Sequence, residues 1–279
     1  MKIRQLKMDF SRVRPHWAPN PEFAQAQNAS SLMPVHVEPY LIKVMKKARE
    51  ALGPEHARLK EDINIFIRQE TQHYKQHQLF NQALYDAGYD RLPAFEQELR
   101  EDYERFLSQK SLKFNCVYCE GFETLGPPNA YCYFSGYGGL LDGADKEAVD
   151  LWKWHMAEEF EHREVCYQVY KTLFGKTFYD RYFYRIYGVF AVMQHLNAWG
   201  HRVGEYLIGK DRANMTPEQL KESKRRERAY KRKMLLHFLP RVLPAFLPFY
   251  NPARKKPPAG MDAYMARMEA EYGVNTPSV

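Results

Sequence analysis

Residues 154–162 read Trp-His-Met-Ala-Glu-Glu-Phe-Glu-His. On a helix, His155, Glu159 and His162 fall at i, i+4 and i+7, along one face across two turns. Glu159 and His162 form a Glu-x-x-His pair. A second pair, Glu70 and His73, stands upstream, with His77 one turn further on. Two such pairs on separate helices, joined by one Glu from each of two other helices, build a dinuclear carboxylate metal site inside a four-helix bundle.

Working outward, apolar residues recur at helical spacing through most of the chain, and no series of segments shows strand-like alternation. The fold class expected is all-α. Leu41, Val44, Met45 and Ala48 mark a helix over 38–52, ended by Gly53-Pro54. The pattern predicts further helices over 56–87, 92–109, 111 to about 125, 146–174 and 178–208. Residues 131–141 are aromatic and only weakly helical in pattern. Thr216-Pro-Glu-Gln219 opens another helix. The apolar run 234–249 carries Pro240, Pro244 and Pro248, which deny it a regular helix over its whole length. Residues 1–30 read as an extended arm, 31–212 as the metal-binding helical domain, and 213–279 as a C-terminal extension packing on the bundle.

The candidate ligands are Glu38, Glu70, His73, Glu120, His155, Glu159 and His162. Glu38 could instead be a first-turn Glu favoured by the helix dipole. On the third helix the choice lies between Glu120 and Glu123, three apart. Glu120 is preferred because it follows Cys116-Val-Tyr-Cys119 in an apolar setting, where a charge needs a partner. His155 is either an added imidazole ligand or a buried, hydrogen-bonded His. His77 reads as an outer partner orienting one of the ligands, with direct ligation the alternative. Carboxylates with imidazoles suit a pair of iron ions, with manganese or zinc as alternatives.

At Phe66-Ile-Arg-Gln-Glu-Thr-Gln-His73 with His77, and at Trp154–His162 running on to Val165-Cys-Tyr-Gln-Val-Tyr170, the chain resembles a bacterial family labelled predicted metal-dependent hydrolase. That resemblance covers about residues 25–255 and implies a ferritin-like four-helix bundle core with additional helices. The His-x-x-x-Glu-x-x-His spacing is also similar to that of di-iron arylamine N-oxygenases, which use an extra His and activate O2 on two irons. This second resemblance is confined to the ligands and implies the seven candidates above. The chain departs from both patterns at the third helix, where Gly121 follows Glu120 and Glu123 replaces a small or hydroxylated residue.

The 279 residues are 45% hydrophobic, enough for a sizeable core. The N-terminus lacks the apolar stretch of a signal peptide, and no run reaches the roughly 18 apolar residues of a membrane span. Cys116, Cys119, Cys132 and Cys166 then fit a reducing cytoplasm, as buried thiols. His195 and His201 share no tight helical face and read as satisfied polar groups, not as ligands. The formal net charge of +7 gathers in residues 221–233. That basic run, followed by apolar 234–249, is either a solvated helix with a strap or a peripheral membrane contact. It lacks interleaved stacking aromatics, so nucleic acid is not expected as a partner.

The function expected is a di-metal oxidoreductase that activates O2 to oxidise a small organic substrate. Its apolar pocket would be lined by the aromatic helix at 178–208, and an electron donor would be needed. The alternative is a metal-dependent hydrolase on the same dinuclear site. A metal-storage bundle, which would have no substrate-sized cavity, is the non-catalytic rival. The oligomeric state, a homodimer included, is left open.

Overall fold

Helix boundaries fall at the capping residues and prolines of the sequence. The computed structural model describes residues 1–273. The Asn20 side chain accepts a hydrogen bond from Phe23 N and starts α1 (Pro21–Ser31), followed by α2 (Pro34–Ala51) and α3 (Ala57–Asp86). After α4 (Leu92–Gln109), Ser111 caps α5 (Leu112–Glu123) in the same way. A short α6 (Gly126–Tyr131) precedes α7 (Lys146–His162) and α8 (Val165–Phe174). The long α9 (Arg185–Arg212) leads to α10 (Pro217–Val242), which Thr216 and Gln219 open with a reciprocal capping box. The last helix is α11 (Met261–Tyr272). Among the described residues there is no strand, only an isolated bridge between Leu6 and Gly273. The all-α class stands.

Three differences from the sequence reading have local causes. Residues 21–31 are helical, and the extended arm before them buries alternate side chains: Leu6, Met8, Phe10 and Trp17 pack in one cluster with Phe80 and the tryptophans of α7. The expected helix over 146–174 breaks after His162, and the Arg163 guanidinium donates to the carbonyl of Phe160 at 2.7 Å. Residues 132–136 form a single wide turn instead of a regular helix. As expected, residues 234–249 are not one regular helix: α10 continues past Pro240 at the loss of one N–H bond and ends at Val242, before Pro244. Residues 274–279 of the expected C-terminal extension lie outside the described residues.

Helices α2, α3, α5 and the broken pair α7–α8 surround the centre of the molecule. Leu41 and Val44 of α2, Phe66 of α3, Val117 of α5 and Val169 of α8 join one apolar cluster. Each such side chain contributes about 1.5–3 kcal/mol by leaving water. Helix α9 packs on the outer side of α5 with almost no clearance: a Cβ at Gly121 would lie 2.7 Å from the Gly188 carbonyl. This contact fixes the rotation of α5 about its axis, and so decides which of its glutamates faces inward.

Candidate metal centre

Seven acidic and imidazole side chains converge between these helices, in two clusters whose ligand-type atoms lie within 4.8 Å of one another. Glu38 of α2, His73 of α3, and His155 and Glu159 of α7 form the first. Glu70 of α3, Glu123 of α5, and Glu159 and His162 of α7 form the second. Glu159 belongs to both. His155 Nε2 lies 3.3 Å from Glu38 and 3.2 Å from Glu159, and His162 Nε2 lies 3.2 Å from both Glu70 and Glu123. A Cβ at Gly126 would lie 2.7 Å from Glu159 Oε2, so only glycine leaves that carboxylate its position.

The outward nitrogen of each histidine is occupied. His73 Nε2–H donates to Glu158 at 3.0 Å, and Arg4 of the N-terminal arm holds the other oxygen of Glu158 at 3.0 Å. The Gln69 side-chain NH2 donates to the Lys2 carbonyl and to Glu161, which turns the Gln69 oxygen toward His162 Nδ1–H at 3.3 Å. His155 sits at the end of a chain whose direction is set by the backbone. The Asn81 NH2 donates to the Ser31 carbonyl at 3.0 Å, so the Asn81 oxygen must accept from the Ser31 hydroxyl, 2.7 Å away. Ser31 has no second proton, so it accepts from His77 Nδ1–H at 2.7 Å. His77 Nε2 therefore accepts from His155 Nδ1–H at 2.7 Å. All three histidines thus keep a lone pair facing the clusters, the tautomer a metal ligand needs.

The inward atoms are the ones left over. Both oxygens of Glu38, Glu70 and Glu123, with His73 Nδ1 and His162 Nε2, are buried without a hydrogen-bond partner. Buried polar atoms are normally paired, so such a convergence calls for a binding partner. Burial, together with neighbouring carboxylates, pushes the Glu38 and Glu123 carboxyls well up. Burial likewise lifts Glu70 to about 8, with His162 opposing it and Glu159 adding to it. Burial also acts on Glu159, but His162 and His155 outweigh it and hold that carboxyl low. His162 is held well above the usual imidazole range: burial lowers it, and Glu123, Glu159 and Glu70 overcome that. Ionised, Glu38, Glu70, Glu123 and Glu159 carry four negative charges, which two divalent cations would balance. The donor set fits metal.

Glu120 is not in either cluster. Its oxygen accepts from Arg185 at 3.3 Å and from the Thr124 hydroxyl at 3.0 Å. Arg185 in turn donates to the Ala245 carbonyl and lies over the Tyr250 ring at 4.8 Å. Glu120 therefore ties α5 to α9 and the C-terminal strap, and the inward glutamate of α5 is Glu123. His77 stands outside both clusters, bonded to His155 and Ser31. His195 bonds Tyr118 and Asp102, and His201 is exposed. The four cysteines are buried and free. Glu158 was not singled out in the sequence. It lies one residue from Glu159, about 100° around the helix, and only the packing of α3 brings His73 to it.

A cavity of about 520 Å³ reaches the first cluster, with His155 and Glu159 in its wall. Phe122, Leu125, Met156, Met234 and Phe238 make it mainly apolar, with Asn129 and Asn197 as its amides. The aromatic start of α9 does not line it, contrary to expectation. From α9 only Leu196 and Asn197 take part, and Phe178 and Phe183 before it and Phe190 within it are about half exposed to solvent.

Residues 2–256 match the family described as predicted metal-dependent hydrolase. The chain belongs to that family. No curated protein and no solved structure matches it, so the expected likeness to ferritin-like proteins and to arylamine N-oxygenases is not shown. The family's description indicates a metal-dependent enzyme, and it favours the hydrolytic alternative over the oxidative first reading.

Proposed function

We propose that Glu159 joins the two clusters into one dinuclear metal centre, and that the enzyme hydrolyses an apolar or amphiphilic small molecule held in the adjoining cavity. The observation that carries the metal assignment is the set of buried carboxylate and imidazole atoms without partners, facing one another. The family description and a cavity in contact with the cluster support hydrolysis. Two bound metals supply Lewis acidity and an activated water. The chain does the rest. Phe122, Leu125 and Met156 hold the apolar body of the substrate, and the Asn129 and Asn197 amides can donate to a polar oxygen. Trp154 against His73 and Phe66 against His162 keep water from the back of the centre. The cavity counts against a storage role.

Oxidation with O2 is the second reading, and one observation favours it. A Glu-x-x-His pair from each of α3 and α7, with one Glu from each of α2 and α5, is the donor set of di-iron and di-manganese carboxylate bundles. It needs iron or manganese and an electron donor. Protein loaded separately with zinc and with iron distinguishes the two readings. Turnover of apolar esters by the zinc form without O2 uptake supports hydrolysis. An inert zinc form, with product formation tied to O2 consumption by the iron form, replaces it.

Three variants test the assignments within the site. Glu120→Ala should keep full metal content and lose about 3 kcal/mol of stability, since it strands a buried arginine. Glu123→Ala should lose metal from the one-histidine position; metal analysis and a denaturant titration read both. Ser31→Ala removes the acceptor that orients His77, and through it His155. We expect metal affinity at the two-histidine position to fall about 10–100-fold, the cost typical of outer partners, by competition with a chelator. Unchanged affinity would remove the hydrogen-bond chain from the account.

A further inference from the structure

The outer face of α10 changes character halfway along. Residues at three- and four-residue spacing share that face. Its first half presents Lys221, Lys224, Arg228 and Arg232 to solvent. Arg225, Arg226 and Lys231 of the same helix are held by Glu222, Glu22 and Glu227, which leaves those four cations uncommitted among the described residues. Its second half presents Leu235, Leu236 and Leu239, with Leu243 just beyond, at 43–62% exposure. The exposed aromatics before and at the start of α9 adjoin the leucine end. Phe190 stacks on Phe246 with ring centres 5.3 Å apart, and the Tyr182 hydroxyl donates to the Phe246 carbonyl. Phe183, Tyr187 and Phe190 are each about half exposed. An apolar surface of this kind marks an interaction site.

We propose that this face docks on an anionic membrane surface, with the leucines and aromatics in the acyl boundary and the cations among the headgroups. Charge decides the occupant. A second copy paired along the stripe by a two-fold axis would meet its own patch. Parallel helices would set cations against cations, and antiparallel ones would bury cations against leucines. An anionic bilayer satisfies both halves at once. No described helix is long and apolar enough to cross a membrane, so the contact is peripheral. Leu235 is both exposed and part of the cavity wall, and Lys231 stands beside it in the same wall, so the cavity opens at the junction of the two halves. Docking would place that mouth at the headgroup boundary. The docking stands on its own; entry of an amphiphilic substrate by this route rests on the enzyme reading above.

Sedimentation with vesicles of phosphatidylcholine alone, and with one quarter phosphatidylglycerol, tests the docking on the full chain. We expect binding to the anionic vesicles only, weakened by salt. Lys221→Glu with Lys224→Glu and Arg228→Glu should reduce it on the order of 100-fold, at about fivefold per lost cation. Leu236→Glu with Leu239→Glu and Leu243→Glu should reduce it at least tenfold while metal content and thermal unfolding stay as in the parent, since these side chains are exposed. No binding to anionic vesicles at low salt overturns the proposal, as does equal binding by the leucine variant. A dimer in the absence of lipid that the leucine variant abolishes assigns the face to a second copy and overturns it equally.

Discussion

Replacing Glu159 by Ala is expected to empty both metal positions, whereas Glu38→Ala should empty only one. Glu159 is the residue shared by the two clusters; Glu38 touches only the two-histidine one. Without Glu159, each position keeps three protein donors and loses the carboxylate that linked it to its neighbour. The remaining charge of three carboxylates no longer matches two divalent ions. Metal analysis after gel filtration should fall from two equivalents to near none for Glu159→Ala, and to about one for Glu38→Ala. The fold should persist in both: removing Glu38 relieves buried repulsion, and without Glu159 the His162 imidazolium keeps Glu70 and Glu123 as partners. Full metal content in Glu159→Ala would show that the ions, if any, bind elsewhere.

The second large effect concerns pH, and its sign reverses when metal is removed. In the metal-free protein, Glu70 titrates near 8 and His162 well above the usual imidazole range. Both bind protons more tightly in the folded than in the unfolded chain. Their contribution is therefore full at low pH and is lost as pH rises toward the folded values. Burial, with neighbouring histidines, lowers His155 and His77, so these two penalise folding only below about 6.5, where the unfolded chain would protonate them. Glu159, held low, adds a loss only below the usual carboxylate range. Between pH 6.5 and 8 the first pair acts in the same direction as Glu38 and Glu123, and His155, His77 and Glu159 do not oppose it. Each retained proton is worth about 1.4 kcal/mol per pH unit, so metal-free stability should drop by about 2–4 kcal/mol across this window.

Metal-loaded protein should behave in the opposite way. Binding requires deprotonated carboxylates and neutral imidazoles, so affinity rises with pH. At free metal about 1,000 times the dissociation constant, each ion stabilises the fold by ~4 kcal/mol. Thermal melts of chelator-treated and zinc-loaded protein at pH 6.5 and 8 should show slopes of opposite sign. Parallel slopes would mean that the cluster titrates without reference to metal.

What the sequence made legible follows from which features are local. Helical spacing brought Glu70 with His73, and Glu159 with His162, onto single faces before any tertiary contact was known. The inward position of His155 followed from the same period. The choice between Glu120 and Glu123 was not local. The two lie about 60° apart around α5, and the glycine contact with α9 settles which one looks inward. Glu158 and Ser31 escaped notice for a related reason. Each is polar in a segment whose period gives it no role, and each acquires one from a histidine on another helix. The buried arm was hidden because Arg4 finds its carboxylates more than 150 residues away.

The central claim is that these side chains hold a pair of cations. Anomalous scattering at the absorption edge of the metal, from crystals grown with it, tests this most directly. The account predicts two peaks about 3.5–4 Å apart, the separation usual in two-metal sites, one beside His73 and His155 and the other beside His162, with Glu159 between them. A single peak, or peaks remote from Glu159, would contradict it.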